Sequence, residues 1–177
     1  MKVRFFSNIE EAEKLVVYGD LKSFAFLVRT YDPELRPVAW SVLGNEADVN
    51  DVMQISYEKA LKNLGGFQGK SSFKTWLYSI CYRSSLNYLE YEKRRRHVDV
   101  DSIDITDSIS LDDVVIGKTS LNELFKILEP EQRTLLMSIY GLELSFDETA
   151  EMLGMARGTV ASKVTRLKKK LAKQGLI

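Results

Sequence analysis

Apolar positions recur along this chain at intervals of three and four and seldom alternate, which predicts helices throughout. Ile9, Ala12, Leu15 and Val16 form a short first stripe that Gly19-Asp20 interrupts, and Leu21, Phe24, Leu27, Val28 and Tyr31 form a second. Asp32-Pro33 fits an N-cap followed by proline in a first turn. The pattern therefore predicts a helix restart there, with Pro37 able to bend the continuation Leu35, Val38, Ala39, Val42 and Leu43 up to Gly44. Residues 45–64 repeat Val49, Val52, Met53, Ala60 and Leu64 at core spacing. Asp48, Asp51, Ile55 and Glu58 share another face of the same helix. Acidic residues in a first turn favour the helix dipole in any case. An apolar side chain set among carboxylates on an outward face points further, to a partner surface.

A glycine-rich loop follows, Gly65-Gly66-Phe67-Gln68-Gly69-Lys70-Ser71-Ser72, which spells neither a P-loop nor a dinucleotide fingerprint. In the helix after it, Phe73, Leu77, Ile80, Ser84, Tyr88 and Tyr91 fall on one stripe and read as core. The remaining aromatics, Trp76, Tyr78 and Tyr82, cannot share that stripe with Lys70, Lys74, Arg83 and the cluster Lys93 to Arg96. Aromatic faces beside cations are what unstacked bases favour.

From His97 to Lys118 the chain carries Asp99, Asp101, Asp104, Asp107, Asp112 and Asp113 with almost no positive charge. Aspartate is a poor strand former, so the weak Val/Ile alternation reads as an acidic linker. Beyond it, Leu121, Leu124, Phe125 and Leu128 predict one amphipathic helix, and Pro130 starts another through Leu135, Leu136, Ile139 and Tyr140 to Gly141. Ser145 and Glu148 then make a capping box for a helix burying Phe146, Thr149, Ala150 and Leu153, which Gly154 stops. From Thr159 to Lys173, Val160, Val164, Leu167 and Leu171 form one stripe while Arg157, Ser162, Lys163 and Arg166 face away. The two segments make a helix-turn-helix pattern. This last segment also holds Lys168, Lys169, Lys170 and Lys173 and no acidic residue, a one-signed face suited to a phosphate backbone.

Composition narrows the alternatives. The 177 residues suffice for one domain or two small ones, and 45% hydrophobic content supplies a core. Basic and acidic residues balance at 25 each, so the positive surface is local and offset elsewhere. His97 and Cys81 are the only histidine and cysteine, which leaves no metal-ligand cluster, no nucleophile arrangement and no internal disulfide. An enzyme is not expected, nor any metal or cofactor. No apolar run approaches the roughly 20 residues of a membrane span, and no signal-peptide core opens the chain, so a cytoplasmic protein is expected.

Three blocks in order carry a resemblance: Asp48-Val49-Asn50-Asp51-Val52-Met53-Gln54, the run Phe67-Gln68-Gly69-Lys70-Ser71-Ser72-Phe73-Lys74-Thr75-Trp76-Leu77, and the helix-turn-helix. Across residues 10–173 the chain resembles the extracytoplasmic-function (ECF) sigma factors of bacterial RNA polymerase. The resemblance implies an all-α fold of two small helical domains, a sigma-2 domain over 8–96 and a sigma-4 domain over 119–177, joined by the acidic linker 97–118. It implies that Asp48, Asp51, Gln54 and Ile55 contact core polymerase on the clamp helices of its β′ subunit, Ile55 standing where relatives usually carry Glu. Phe67, Lys70, Ser71, Ser72, Lys74, Trp76 and Arg83 would hold the opened non-template strand at the −10 element, Arg83 standing where relatives often carry Asn. Arg157, Thr159, Ser162, Lys163, Arg166 and Lys169 would meet the −35 element, with Ala161 where many relatives are basic. An anti-sigma factor is the implied regulator. The alternative reading is a helix-turn-helix regulator acting without polymerase, or a sigma-like module that mainly binds a regulatory protein.

Overall fold

The computed structural model describes residues 8–96 and 121–176, and every regular element among them is helical. The acidic stretch 97–118 lies outside the described residues. Helix α1 (Ile9–Val16) starts where the Asn8 side chain accepts the Glu11 N–H at 2.8 Å, and it buries Ala12 and Val16. Helix α2 (Leu21–Leu43) starts at Asp20, which accepts the Ser23 N–H at 2.8 Å, and ends at Gly44 with φ 75°.

The expected restart at Asp32-Pro33 does not occur, because α2 runs unbroken through Pro33 and Pro37. The two prolines remove ladder bonds to the carbonyls of Arg29 and Pro33. Both of those residues are exposed, so water can serve the freed oxygens. Buried Leu27, Tyr31, Leu35, Val38 and Val42 hold the opposite face to the core. Asp32, free of capping duty, accepts from the Tyr57 hydroxyl and pairs with Arg36 at 3.2 Å.

Helix α3 (Val49–Asn63) buries Val49, Val52, Met53 and Ala60 as its spacing predicts, and a 3-10 turn, Leu64–Gly66, leads into the glycine-rich loop. Helix α4 (Phe73–Arg96) is the centre of the molecule, packed on α2 and α3 at one side and on a helix of the C-terminal half at another. Burial from two sides overturns the single-stripe reading. Phe73, Leu77, Tyr78 and Cys81 are buried toward α2 and α3, while Thr75, Ser79 and Tyr82 are buried on the far side. Tyr91, expected in the core, is exposed near the helix end, and Ile80 and Tyr88 are half-buried. Tyr78 and Tyr82, expected beside the free cations, are buried and offer no face to a base.

The C-terminal half comprises α5 (Leu121–Ile127), α6 (Pro130–Leu136), a π-helical turn (Met137–Gly141), α7 (Phe146–Leu153) and α8 (Arg157–Lys173). The capping box forms as expected. Ser145 Oγ accepts the Glu148 N–H at 3.2 Å, and Glu148 accepts the Ser145 N–H at 2.9 Å. Gly154 ends α7 with φ 68°. Val160, Val164, Leu167 and Leu171 seat α8 on α6 and α7, with Met152 joining Ala150 and Leu153 below while Phe146 is only half-buried.

The two halves pack together, which the sequence did not announce. Helix α7 lies on α4 and α6 lies on α2. Arg133 donates to the carbonyls of Ser41 at 2.8 Å and Val42 at 3.1 Å, at the negative end of the α2 dipole. Beside it the Ser41 and Thr134 hydroxyls meet at 2.9 Å, and the rings of Trp40 and Phe125 lie 5.2 Å apart.

Candidate nucleic-acid and partner interfaces

The outward face of α3 carries Asp51, Gln54 and Glu58 in the open, with Ile55 half-buried among them. Gln54 donates to Glu58 at 3.2 Å, and Asp51 has no ion pair among the described residues. Asp48 differs from its neighbours. It is half-buried, accepting the Tyr88 hydroxyl at 3.1 Å on one oxygen and the Asn45 amide at 3.0 Å on the other. Burial and then the Asp48 charge push the Tyr88 hydroxyl up to about 12. Asp48 thus ties the start of α3 to α4, and the outward carboxylates are Asp51 and Glu58.

In the glycine-rich loop, Phe67 is only 6% exposed. Its ring meets Trp76 at 4.9 Å and Phe73 edge-on at 5.7 Å, and Phe73 in turn meets Trp76 at 5.4 Å and Phe24 at 5.9 Å. This aromatic cluster anchors the loop to α2 and α4, leaving half-buried Trp76 with a partial face. Lys70 and Ser72 are exposed and Ser71 is half-buried. Ser72 opens α4 by accepting the Thr75 N–H at 3.1 Å.

Lys74 is half-buried and engaged with its own chain. It pairs with Glu34 at 2.5 Å and lies 5.6 Å from the Tyr78 ring and 5.9 Å from the Tyr31 ring. The Lys74 hydrogen bond, assisted by the Tyr78 hydroxyl at 2.9 Å, keeps the Glu34 carboxyl below its ordinary range. Arg83 is exposed, one guanidinium nitrogen 3.9 Å from where a Cβ on Gly154 would sit, against the turn after α7. Cys81, on the buried side of α4, has its thiol pushed up to about 12 by burial and stays protonated.

On α8, Arg157, Thr159, Ser162, Arg166 and Lys169 are exposed on the polar face, with Lys168, Lys170 and Lys173 continuing it. Arg166 reaches Ser162 Oγ at 3.4 Å, and Ser162 donates to the Thr159 carbonyl at 2.9 Å, which orders the first turns. Three of the cations are engaged within the C-terminal half: Arg157 pairs with Asp147 at 3.3 Å, half-buried Lys163 pairs with Glu131, and Lys168 lies over the Tyr140 ring at 5.0 Å. The sequence reading missed the Glu131, Glu34 and Arg133 contacts because each joins residues far apart in the chain, and no local pattern marks them.

The three sets of side chains therefore occupy three places: an acidic face on α3, a loop and helix start beside it, and a basic face on α8. Residues 27–95 match the model for sigma-70 region 2, and residues 119–171 match that for sigma-70 region 4. The chain is 26% identical to the ECF RNA polymerase sigma factor SigW of Bacillus subtilis (strain 168), over 94% of this chain and 96% of that one. It is 30% identical to the ECF RNA polymerase sigma-E factor of Salmonella typhimurium (strain LT2), over 84% of each. Among solved structures it is similar to the sigma factor RpoE of Bartonella quintana, crystallised with the anti-sigma factor NepR, at a TM-score of 0.65 and 26% identity over 87% of this chain and 95% of that one. With both sigma regions present, in order, and with full-length relatives that share them, this chain belongs to the sigma-70 family as an RNA polymerase sigma factor of the ECF type.

Proposed function

We propose that this sigma factor divides promoter-directed initiation among its three surfaces. The α3 face of Asp51, Gln54, Ile55 and Glu58 docks on a basic helical surface of core polymerase, the β′ clamp helices, while Asp48 holds that face in place. Lys70, Ser71, Ser72, Trp76 and Arg83 hold the opened non-template strand at −10, and the polar face of α8 meets the duplex at −35. Residues 8–96 form the first functional unit and 119–177 the second, with the acidic stretch 97–118 between them. The observation that supports this reading most is the separation of sign: exposed carboxylates on α3, and on α8 a run of cations with no acidic residue.

A sigma factor lends its polymerase specificity and performs no catalysis itself, so the work of each surface is binding. Opening DNA needs no hydrolysis here if the strand, once parted, is held by stacking and cations. The chain acts in the cytoplasm, where its polymerase is. No helix among the described residues is long and apolar enough to cross a membrane. An anti-sigma factor is its regulator, by similarity to the Bartonella sigma factor solved with one.

The test of the docking face is assembly with core polymerase. Asp51→Lys together with Glu58→Lys should weaken the complex by about tenfold or more, since a like charge set against a basic partner costs several kcal/mol, and should leave α8 binding to duplex unchanged. Assembly at the wild-type level would remove α3 from the interface.

A further inference from the structure

The cluster around Phe67 raises a question of supply. Holding a parted strand calls for free aromatic surface, yet Phe67 is buried, Tyr78 and Tyr82 are buried, and Trp76 is half covered. The freest aromatic side chain near the loop is one the sequence pattern did not single out. Tyr18 is 87% exposed, in the turn between α1 and α2, flanked by Leu21 at 63% and Val17 at 37%. That turn lies against the loop, with a Val17 methyl 3.3 Å from where a Cβ on Gly69 would sit. The contact continues inward from Phe24, on α2 beside Leu21, to Phe73 and then Phe67.

The turn is also stiff. Tyr18 N–H donates to the Leu15 carbonyl at 3.0 Å, Gly19 N–H to Val16 at 2.9 Å, and Asp20 caps α2 directly after. The ordered backbone of the turn fixes where the Tyr18 ring is presented to solvent, although the ring itself makes no ring contact among the described residues. Lys22, at the start of α2, and Lys70, directly after Gly69, are exposed and make no ion pair among the described residues. Aromatic face plus free cation is the combination that holds single-stranded nucleic acid without reading its sequence.

We infer that Tyr18, on the turn that the Val17–Gly69 contact joins to the glycine-rich loop, is a further stacking platform for the non-template strand, continuing the −10 surface onto the α1–α2 turn, with exposed Leu21, Lys22 and Lys70 on the joined segments. This rests on the loop being the −10 site. It adds a surface outside the blocks that carry the family resemblance, and a role for a residue that the −10 assignments leave out.

The experiment uses holoenzyme assembled from core polymerase and the full chain, with a promoter selected from a randomised pool and 2-aminopurine placed singly at successive positions of its non-template strand. Tyr18→Ala should reduce open-complex formation by about 5- to 150-fold, the range that loss of one stacked base spans, with assembly onto core and duplex binding by α8 unchanged. Tyr18→Phe should restore it, since the ring remains. In the wild type, one 2-aminopurine position should be quenched, and that quench should vanish in Tyr18→Ala. An unaltered opening rate in Tyr18→Ala, or Tyr18→Phe as impaired as Tyr18→Ala, overturns the inference. So does a loss confined to core assembly, which would make the turn a protein contact. If the wild-type holoenzyme yields no promoter-dependent opening at all, the −10 reading itself fails and takes this platform with it.

Discussion

Toward α2 and α3, helix α4 presents Phe73, Leu77, Tyr78 and Cys81, each essentially excluded from solvent. Toward α7 it presents Thr75, Ser79 and Tyr82, and the neighbouring contact between α2 and α6 includes Ser41, Thr134 and the Arg133 guanidinium beside the Trp40–Phe125 ring pair. The first interface is mainly apolar, with the Tyr78 hydroxyl on Glu34 at its edge. The second mixes apolar contact, Trp40 on Phe125 above all, with hydroxyls, carbonyls and one cation, and water can serve that polar share if the halves part. Two buried polar atoms near this second contact, Trp40 Nε1 and Thr149 Oγ1, have no partner among the described residues and would gain one on exposure to water. Toward α2 and α3, then, α4 packs into a mainly apolar core, while toward the C-terminal half the contact carries a larger polar share, as contacts between domains of one chain commonly do.

Disrupting each side should separate the two roles. Leu77→Ala, in the apolar interface, should cost about 2–5 kcal/mol by denaturant unfolding, since it leaves a cavity at a fully buried site. Arg133→Met should cost roughly 1.5–3 kcal/mol of the contact between halves, the range for hydrogen bonds to a charged group. Hydrogen exchange should then rise along the seam while the α1–α4 unit keeps its own midpoint. A midpoint loss in that unit equal to Leu77→Ala would show the seam to be core after all.

The basic face of α8 offers a finer contrast, because Lys163 is already paired with Glu131 while Arg166 is exposed and free of carboxylates among the described residues. Arg166→Ala should lower the salt slope of duplex binding by about one phosphate contact, and Lys163→Ala should lower it less. Equal changes in titrations against salt would mean that Glu131 releases Lys163 on DNA. The smallest effect belongs to Glu34, whose carboxyl Lys74 and Tyr78 hold below the ordinary value of 4.5. Its stabilisation is fully present above that value and is lost as pH falls through the lowered one. Glu34→Gln should flatten the acid limb of the stability profile there.

The helices were legible in the sequence wherever one face carried the burial. The α8 stripe, the Ser145–Glu148 box and the α3 core positions all stand where local spacing put them. The reading failed where a helix was buried from two sides, as with Tyr78 and Tyr82 on α4, because periodicity reports one dominant face, and at Tyr91, where the helix end runs out into solvent. It also failed at Pro33, where a tertiary core outweighed a local break. Tyr18 was not singled out, since an isolated exposed tyrosine says nothing until a folded loop lies beside it.

Run-off transcription with core polymerase on a pool of randomised promoters tests the central claim most directly. Promoter-dependent transcripts that require this chain, from templates sharing two separated sequence blocks, are the predicted result. No transcript and no complex with core, alongside sequence-specific duplex binding by the chain alone, would contradict it.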